Sequence, residues 1–492
     1  MTVTQGHPVV EETLDPEDWD ELRALGHRMV DDLLDYLRTV RERPVWRPIP
    51  PELRARFRVP VPRAPEGAER AYQDFRDHVL PHPMGNIHPR FWGWVIGTGT
   101  PLGALAEMLA AGMNPNMGGG DHVPNQVEAQ VLDWCKEMLG YPLAASGLLV
   151  SGGSMANLVG LAVARHARAG FDVRQKGVRD AAGPLTVYGS VETHSSVRKA
   201  VELLGLGSEA LRLAPVTDEF EIDLAALERM IAEDRLAGCR PICVVGNAGT
   251  VNTGALDDLG ALAALCERER LWFHVDGAFG ALAALVPEYR RRLAPMARAD
   301  SLAFDLHKWM YVPFEAGCTL VRDAETHRRA FSLTPDYLAH AERGLAAGDL
   351  WFTDYGVQLT RGFRALKVWM SLKEHGLDKY GRLIGQNIEQ ARYLAGLVRE
   401  APDLELMAPV PLNIVCFRYC ATGRGDAALD GLNQELLIQL HEQGIAVPSN
   451  ALLGGRFALR VAIVNHRSRL DDFDLLVREV RRIGVELAAR GG

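Results

Sequence analysis

Leu22, Leu25, Met29, Leu33 and Tyr36 recur at helical spacing, with Asp31, Asp32 and Asp35 between them, which predicts an amphipathic helix. The Pro-rich passage 44–65 follows, and its prolines exclude a regular helix there. A helix followed by an extended arm suits two placements equally: across a neighbouring subunit or on its own domain. From about residue 86 to 375 the pattern changes. Apolar runs of strand length, 147–150, 241–245 and 271–275, each lead through turn residues into helical stretches such as 155–167 and 257–270. Nearly continuous apolar strands separated by helices predict a mainly parallel sheet covered on both faces. From 376 onward, helices over 383–400, 429–443 and 471–489 alternate with strands over 413–419 and 457–463. The expected organisation is therefore an N-terminal helical and extended segment (1–85), a large α/β domain (86–375) and a small C-terminal α+β domain (376–492). No internal repeat or low-complexity tract interrupts it.

Composition narrows the class. The 492 residues are 47% hydrophobic and 24% charged, which excludes disordered, collagen-like and disulfide-scaffold proteins. With 54 Lys and Arg against 63 Asp and Glu the net charge is −9, and the one basic run is 290–292. Nucleic acid is not an expected partner. Seven cysteines, an odd number without zinc-ligand spacing, read as reduced thiols, and no metal site is expected. Residues 1–18 lack the features of a signal peptide, and no apolar stretch is long enough for a membrane span, so a cytoplasmic protein is expected.

Ligands of open parallel sheets gather beyond the carboxyl ends of the strands, and three such ends carry reactive residue types. Leu149-Val-Ser-Gly-Gly-Ser154 runs into a helix start, where small residues and unpaired N–H groups suit a phosphate, although a tight turn would use the same residues. Asp276 closes an apolar strand and is followed by Gly277 and Ala278, which leave room for a flat ring; a helix cap or ion-pair role is the alternative. Lys308 sits among apolar and aromatic residues, and burial favours the neutral, nucleophilic amine. Phosphate nest, buried carboxylate and buried lysine together suit pyridoxal 5′-phosphate, which has a phosphate, a ring nitrogen and an aldehyde.

The motifs Ser151-Gly-Gly-Ser-Met-Ala-Asn157, His194-Ser-Ser-Val197, Gly249-Thr-Val-Asn-Thr-Gly254, His274-Val-Asp-Gly-Ala278 and His307-Lys-Trp309 occur in this order over most of the chain. In this the sequence resembles the group II pyridoxal-phosphate-dependent amino-acid decarboxylases, most closely their aromatic-L-amino-acid branch. The resemblance implies an aspartate-aminotransferase-like fold (fold type I). It implies that Lys308 carries the cofactor, Asp276 pairs with its ring nitrogen and His194 stacks on its face. Gly153 and Ser154 would hold the phosphate with His307 beside it, and Thr250 and Ala278 would line the pocket. A strand over 358–360, including Thr360, would give phosphate contacts from the neighbouring subunit of a homodimer.

The segment 333–340 resembles the family's mobile catalytic loop, in which Tyr337 would protonate the α-carbon, an ordinary surface tyrosine being the alternative. Relatives that oxidise their substrates to aldehydes often differ at this position. Trp94 and Val95, within Phe91-Trp-Gly-Trp-Val-Ile96, together with Phe314, correspond to substrate-pocket positions. Arg460 matches an arginine near the active site, with a structural ion pair as its alternative. Residues 114–121, containing Gly118-Gly-Gly120, align loosely and replace bulky side chains by small ones, which predicts a wider pocket. Val251 stands where threonine is common. The absence of Lys and Arg from 91 to 120 argues against a glutamate-type substrate. The expected reaction is decarboxylation of an aromatic L-amino acid to its amine, with an aldehyde synthase or a decarboxylase of a non-aromatic amino acid as alternatives.

Overall fold

The computed structural model describes residues 12–333 and 341–490. Its strands are β1 (Phe91–Trp92), β2 (Ser146–Val150), β3 (Leu185–Ser190), β4 (Leu211–Ala214), β5 (Arg240–Asn247), β6 (Trp272–Asp276), β7 (Ser301–Asp305), β8 (Gly317–Val321), β9 (Leu404–Leu406), β10 (Ile414–Tyr419), β11 (Val447–Leu453) and β12 (Arg456–Ala462). Seven of them form a sheet in the order β2-β8-β7-β6-β5-β3-β4. The five from β7 to β4 run parallel, and β8 lies antiparallel between β2 and β7. Every residue of β3, β6, β7 and β8 is buried, as expected for strands with helices on both faces. The helix Gly153–Arg168 buries Ala156, Val159, Gly160 and Val163 against this sheet.

The second sheet has the order β1-β11-β12-β10-β9. Its first member, β1, pairs in parallel with β11 through Phe91 and Val447. The segment just after the N-terminal arm thus joins the C-terminal sheet, and the adjoining Trp94 is carried into the cleft between the two sheets.

The predicted first helix is Trp19–Arg38, and Asp18 starts it by accepting hydrogen bonds from the N–H groups of Asp20 and Glu21. Of its apolar residues Leu25 is buried, whereas Trp19, Leu22, Met29 and Leu34 remain exposed on this chain. Two expectations need correction. The Pro-rich passage does contain a helix, Pro51–Arg56, because a proline in the first turn has no N–H that the helix would use. Residues 358–360 form no strand; they belong to an irregular segment that leads to Arg361. Arg361 is buried, pairs with Glu128 and donates to the carbonyls of Met117 and Leu149, the latter at 2.7 Å.

Burial also sets a pH dependence. It pushes His88, His274 and His466 down to about 4 and His327 down to about 3. In the unfolded chain these rings take up protons near pH 6.5. The folded state therefore loses stability as the pH falls from about 6.5 towards 4. Asp257, pushed up to about 6 by burial, acts oppositely below that pH. Four histidines outweigh one aspartate, so the urea midpoint is expected to drop steadily between pH 7 and pH 4.5, and a flat profile would contradict it.

Candidate active site

The site lies beyond the carboxyl ends of β5, β6 and β7, where the second sheet closes over it. Asp276 ends β6, buried, with Oδ1 accepting from the Ala278 N–H at 3.1 Å and Oδ2 from the Asn157 amide at 2.8 Å. A buried relay stands behind it. The Trp272 indole donates to Ser301 Oγ at 2.7 Å, Ser301 Oγ lies 2.7 Å from His274 Nδ1, and His274 Nε2 lies 2.8 Å from Asn157 Oδ1. Since burial keeps His274 neutral near pH 7, its single N–H is best used towards Asn157, with the Ser301 hydroxyl donating to Nδ1. Every dipole then points its donor end at Asp276. The carboxylate is held by neutral donors, and its remaining capacity faces the cavity.

His194 both caps a helix and lines the cavity. Its Nδ1 accepts from the Ser196 N–H at 3.2 Å at the start of the helix Ser195–Leu203, and burial lowers its pKa, which keeps a neutral ring. Lys308 stands on the one-turn helix Leu306–Trp309 that follows β7. The apolar surroundings expected of it are interrupted by a carboxylate: Asp305 Oδ2 lies 3.0 Å from Nζ. Asp305 is buried and its Oδ1 has no hydrogen-bond partner. Gly153 is required by this carboxylate, because a Cβ there would sit 2.8 Å from Asp305 Oδ2.

The cavity, of about 330 Å³, is lined by Lys308, Asp276, Ala278 and His194 on the large-sheet side and by Trp94, Val95, Arg460 and Ser449 on the other. Arg460 makes no ion pair among the described residues. It donates to the carbonyls of Asn252 (3.0 Å), Trp94 (2.9 Å) and Val251, and to Ser449 Oγ at 3.2 Å. The arginine thus ties three walls together. Trp94, half exposed, adopts a left-handed backbone (φ 52°) that the bond to its carbonyl helps to hold.

Other expected residues fall elsewhere. Thr250 is fully buried in the turn after β5, where its hydroxyl accepts from the Ala255 N–H at 3.0 Å and meets Thr253 at 3.1 Å; it is not among the cavity walls. Phe314 packs its ring 4.9 Å from that of His307 instead of lining the cavity. His307 Nδ1 accepts from the Ala316 N–H at 3.1 Å, which fixes the turn around Lys308. Ser154 is exposed in the first turn of Gly153–Arg168, and Thr360 is exposed on its loop. Tyr337 lies outside the described residues. The small residues at 118–120 do not widen the cavity: a Cβ at Gly119 would meet the Trp351 ring at 2.4 Å, and one at Gly118 the Leu359 carbonyl at 2.5 Å.

This arrangement matches the chemistry of a pyridoxal group: an acceptor-only carboxylate for a protonated ring nitrogen, a neutral ring for its face and an amine for its aldehyde. The family model of the pyridoxal-dependent decarboxylase conserved domain matches residues 50–420. The chain belongs to the pyridoxal-dependent decarboxylase family. The aromatic-L-amino-acid decarboxylase of Bacillus atrophaeus is 32% identical over 473 residues, covering 95% of this chain and 96% of that protein. A phenylacetaldehyde synthase of Arabidopsis thaliana is 30% identical, covering 92% and 93%. Among solved structures, Oryza sativa TDC with PLP and tryptamine superposes with a TM-score of 0.88 at 27% identity, covering 97% of this chain and all of that one. The fold-type-I architecture and the use of pyridoxal phosphate by this decarboxylase follow. Asn157, Ser301 and Asp305 were not assigned roles from sequence. Asn157 stands inside a recognised motif, and Asp305 lies three residues before the lysine, so both signals were available.

Proposed function

We propose that this decarboxylase acts on an aromatic L-amino acid and releases the amine and carbon dioxide. The observation that carries this reading is the cavity itself: an amine and a carboxylate face one space, and Trp94 forms its outer wall. The bound cofactor supplies an electron sink for the pair left when the carboxyl group departs. Lys308 would hold the cofactor's aldehyde and Asp276 its ring nitrogen. The N–H groups at the start of Gly153–Arg168, with Ser154, would hold its phosphate. His194 would meet the ring's face and Ala278 would line the space beside it, while Trp94 with Val95 would grip the substrate side chain, stacking being worth about 0.5–1.5 kcal/mol. Among the described residues that line the cavity, Arg460 already directs its donors to carbonyls and a hydroxyl, which disfavours an acidic side chain. Tyr337 is assigned the proton that the α-carbon receives.

Relatives include both decarboxylases and aldehyde synthases, and Tyr337 favours the amine. A panel of L-amino acids scored for amine, aldehyde and peroxide tests the reading: amine without peroxide from phenylalanine, tyrosine or tryptophan is expected, and turnover of acidic or aliphatic substrates alone would refute it. Tyr337→Phe is expected to cut amine formation at least tenfold and, with dissolved dioxygen as oxidant and water supplying the carbonyl oxygen, divert product to aldehyde, ammonia and peroxide, an effect of about 1.4 kcal/mol or more on the protonation barrier.

The active unit is proposed to be a homodimer. The exposed apolar face of Trp19–Arg38 and the exposed loop at Thr360 support it. The double variant Leu22→Glu, Met29→Glu is expected to sediment as a monomer and lose activity; a fully active dimer would contradict this. A cytoplasmic location is proposed from the seven free cysteines, and no helix among the described residues is long and apolar enough to cross a membrane.

A further inference from the structure

Asp305 ends β7, three residues before Lys308, and is almost wholly buried. A buried carboxylate is costly unless it is paired or hydrogen-bonded. Its Oδ1 is closed to solvent and has no hydrogen-bond partner. Although Asp305 stands at the N-cap position of the one-turn helix Leu306–Trp309, its side chain accepts no capping N–H. Oδ2 lies 3.0 Å from Lys308 Nζ.

The other groups around it offer no substitute. His307 Nε2 lies 3.9 Å from Oδ2, beyond hydrogen-bond reach, and burial lowers the pKa of His307, which keeps its ring neutral near pH 7. His194, on the cavity side, is lowered by burial in the same way. Gly152 and Gly153 form the opposite wall: a Cβ on Gly153 would sit 2.8 Å from Oδ2, and one on Gly152 3.9 Å from Oδ1. Residues 151–156, which include that wall, carry no charged side chain. Among the described groups that face Asp305, its charge is therefore balanced by one, the ammonium of Lys308. That ammonium has to lose a proton before its nitrogen can attack a carbonyl. Oδ2 lies within the reach expected of a general base for it.

We infer that Asp305 is a catalytic base for Lys308: it takes the ammonium proton as the amine attacks the cofactor's aldehyde, keeps it while the cofactor is attached, and returns it when the substrate displaces the lysine. The step balances without a further reactant. One C=N bond forms, the aldehyde oxygen leaves as water with two of the ammonium hydrogens, and the third stays on Asp305. Burial requires it to stay, because no water reaches Oδ1 to replace the lost cation. A phosphate anion at the start of Gly153–Arg168, across the glycine wall, favours the neutral carboxyl further. This inference rests on Lys308 being the amine that holds the cofactor.

Calorimetric titration of the full chain, freed of its cofactor, with pyridoxal phosphate tests this. Repeating the titration in buffers of different ionisation enthalpy counts the protons exchanged. Asp305→Asn keeps the shape and removes only the titrating group, so protons exchanged by the cofactor itself cancel in the comparison. The wild type is expected to take up about one proton more than the variant. Since proton uptake weakens binding as the pH rises, the ratio of wild-type to variant Kd should climb about tenfold per pH unit from about pH 6 to 8. Infrared difference spectra of the wild type should also gain a protonated-carboxyl stretch on cofactor addition, absent from Asp305→Asn. A merely structural Asp305 would change the affinity alike at every pH. Equal proton counts, a pH-independent ratio of Kd or a missing stretch, with the cofactor still mapped to Lys308, would overturn this inference alone. A cofactor mapped to another lysine would remove it together with the reading on which it rests.

Discussion

Lys308→Ala is expected to abolish decarboxylation, with kcat/KM down by about 10⁴-fold or more, equivalent to roughly 5 kcal/mol of barrier. Two effects combine. The variant lacks the amine proposed to hold the cofactor's aldehyde, and it leaves Asp305 without its cation. Asp305 is buried, its Oδ2 is 3.0 Å from the Lys308 Nζ, and its Oδ1 already lacks a partner. Leaving one half of such a pair uncompensated costs about 3–5 kcal/mol. The variant should therefore be both inactive and less stable in urea. Adding Asp305→Asn should recover much of the stability and none of the activity. If Lys308→Ala retained appreciable turnover, or if the double variant recovered it, Lys308 would not be the catalytic amine.

Asp276→Asn is expected to be the next most damaging change. It keeps size and shape and removes the negative charge that a protonated ring nitrogen needs. A buried charge partner of this kind is worth several kcal/mol, so kcat/KM should fall about 10³-fold, or roughly 4 kcal/mol, with the cofactor still bound. The fall should appear mainly in kcat, because the charge matters most when electron density flows into the ring. The relay predicts a graded companion: Asn157→Leu leaves Asp276 charged but frees its Oδ2 and orphans His274. Its loss should be smaller in rate and larger in stability. A wild-type rate in Asp276→Asn would remove the carboxylate from the mechanism.

The elements that position this site were legible because their signals are local. The apolar runs of β5 and β6 and the helical period of 155–167 reappear at nearly their predicted bounds. The pairing of Phe91 with Val447, which delivers Trp94 to the cavity, was not legible: a two-residue strand carries no period, and its partner lies in the other sheet. The same holds for Arg460. The family resemblance placed it near the substrate, with an ion pair as the alternative, whereas its donors go to carbonyls of two segments, at 94 and 251–252, and to the Ser449 hydroxyl. Thr250 shows the converse. The resemblance placed it in the pocket lining, whereas the folded turn uses its hydroxyl to accept from the Ala255 N–H. Residue types announce which chemistry is present; the distribution of donors across strands decides which groups remain free to perform it.

The Lys308 amine and the Asp276 carboxylate share one cavity, and this amine is proposed to carry the cofactor. Borohydride reduction of the holoenzyme followed by peptide mass mapping tests it most directly. The mass of the reduced pyridoxyl group should be found on Lys308, at one per chain, and bleaching of the visible chromophore should accompany it. A cofactor mass on another lysine, or no adduct in a protein that still decarboxylates, would contradict the account.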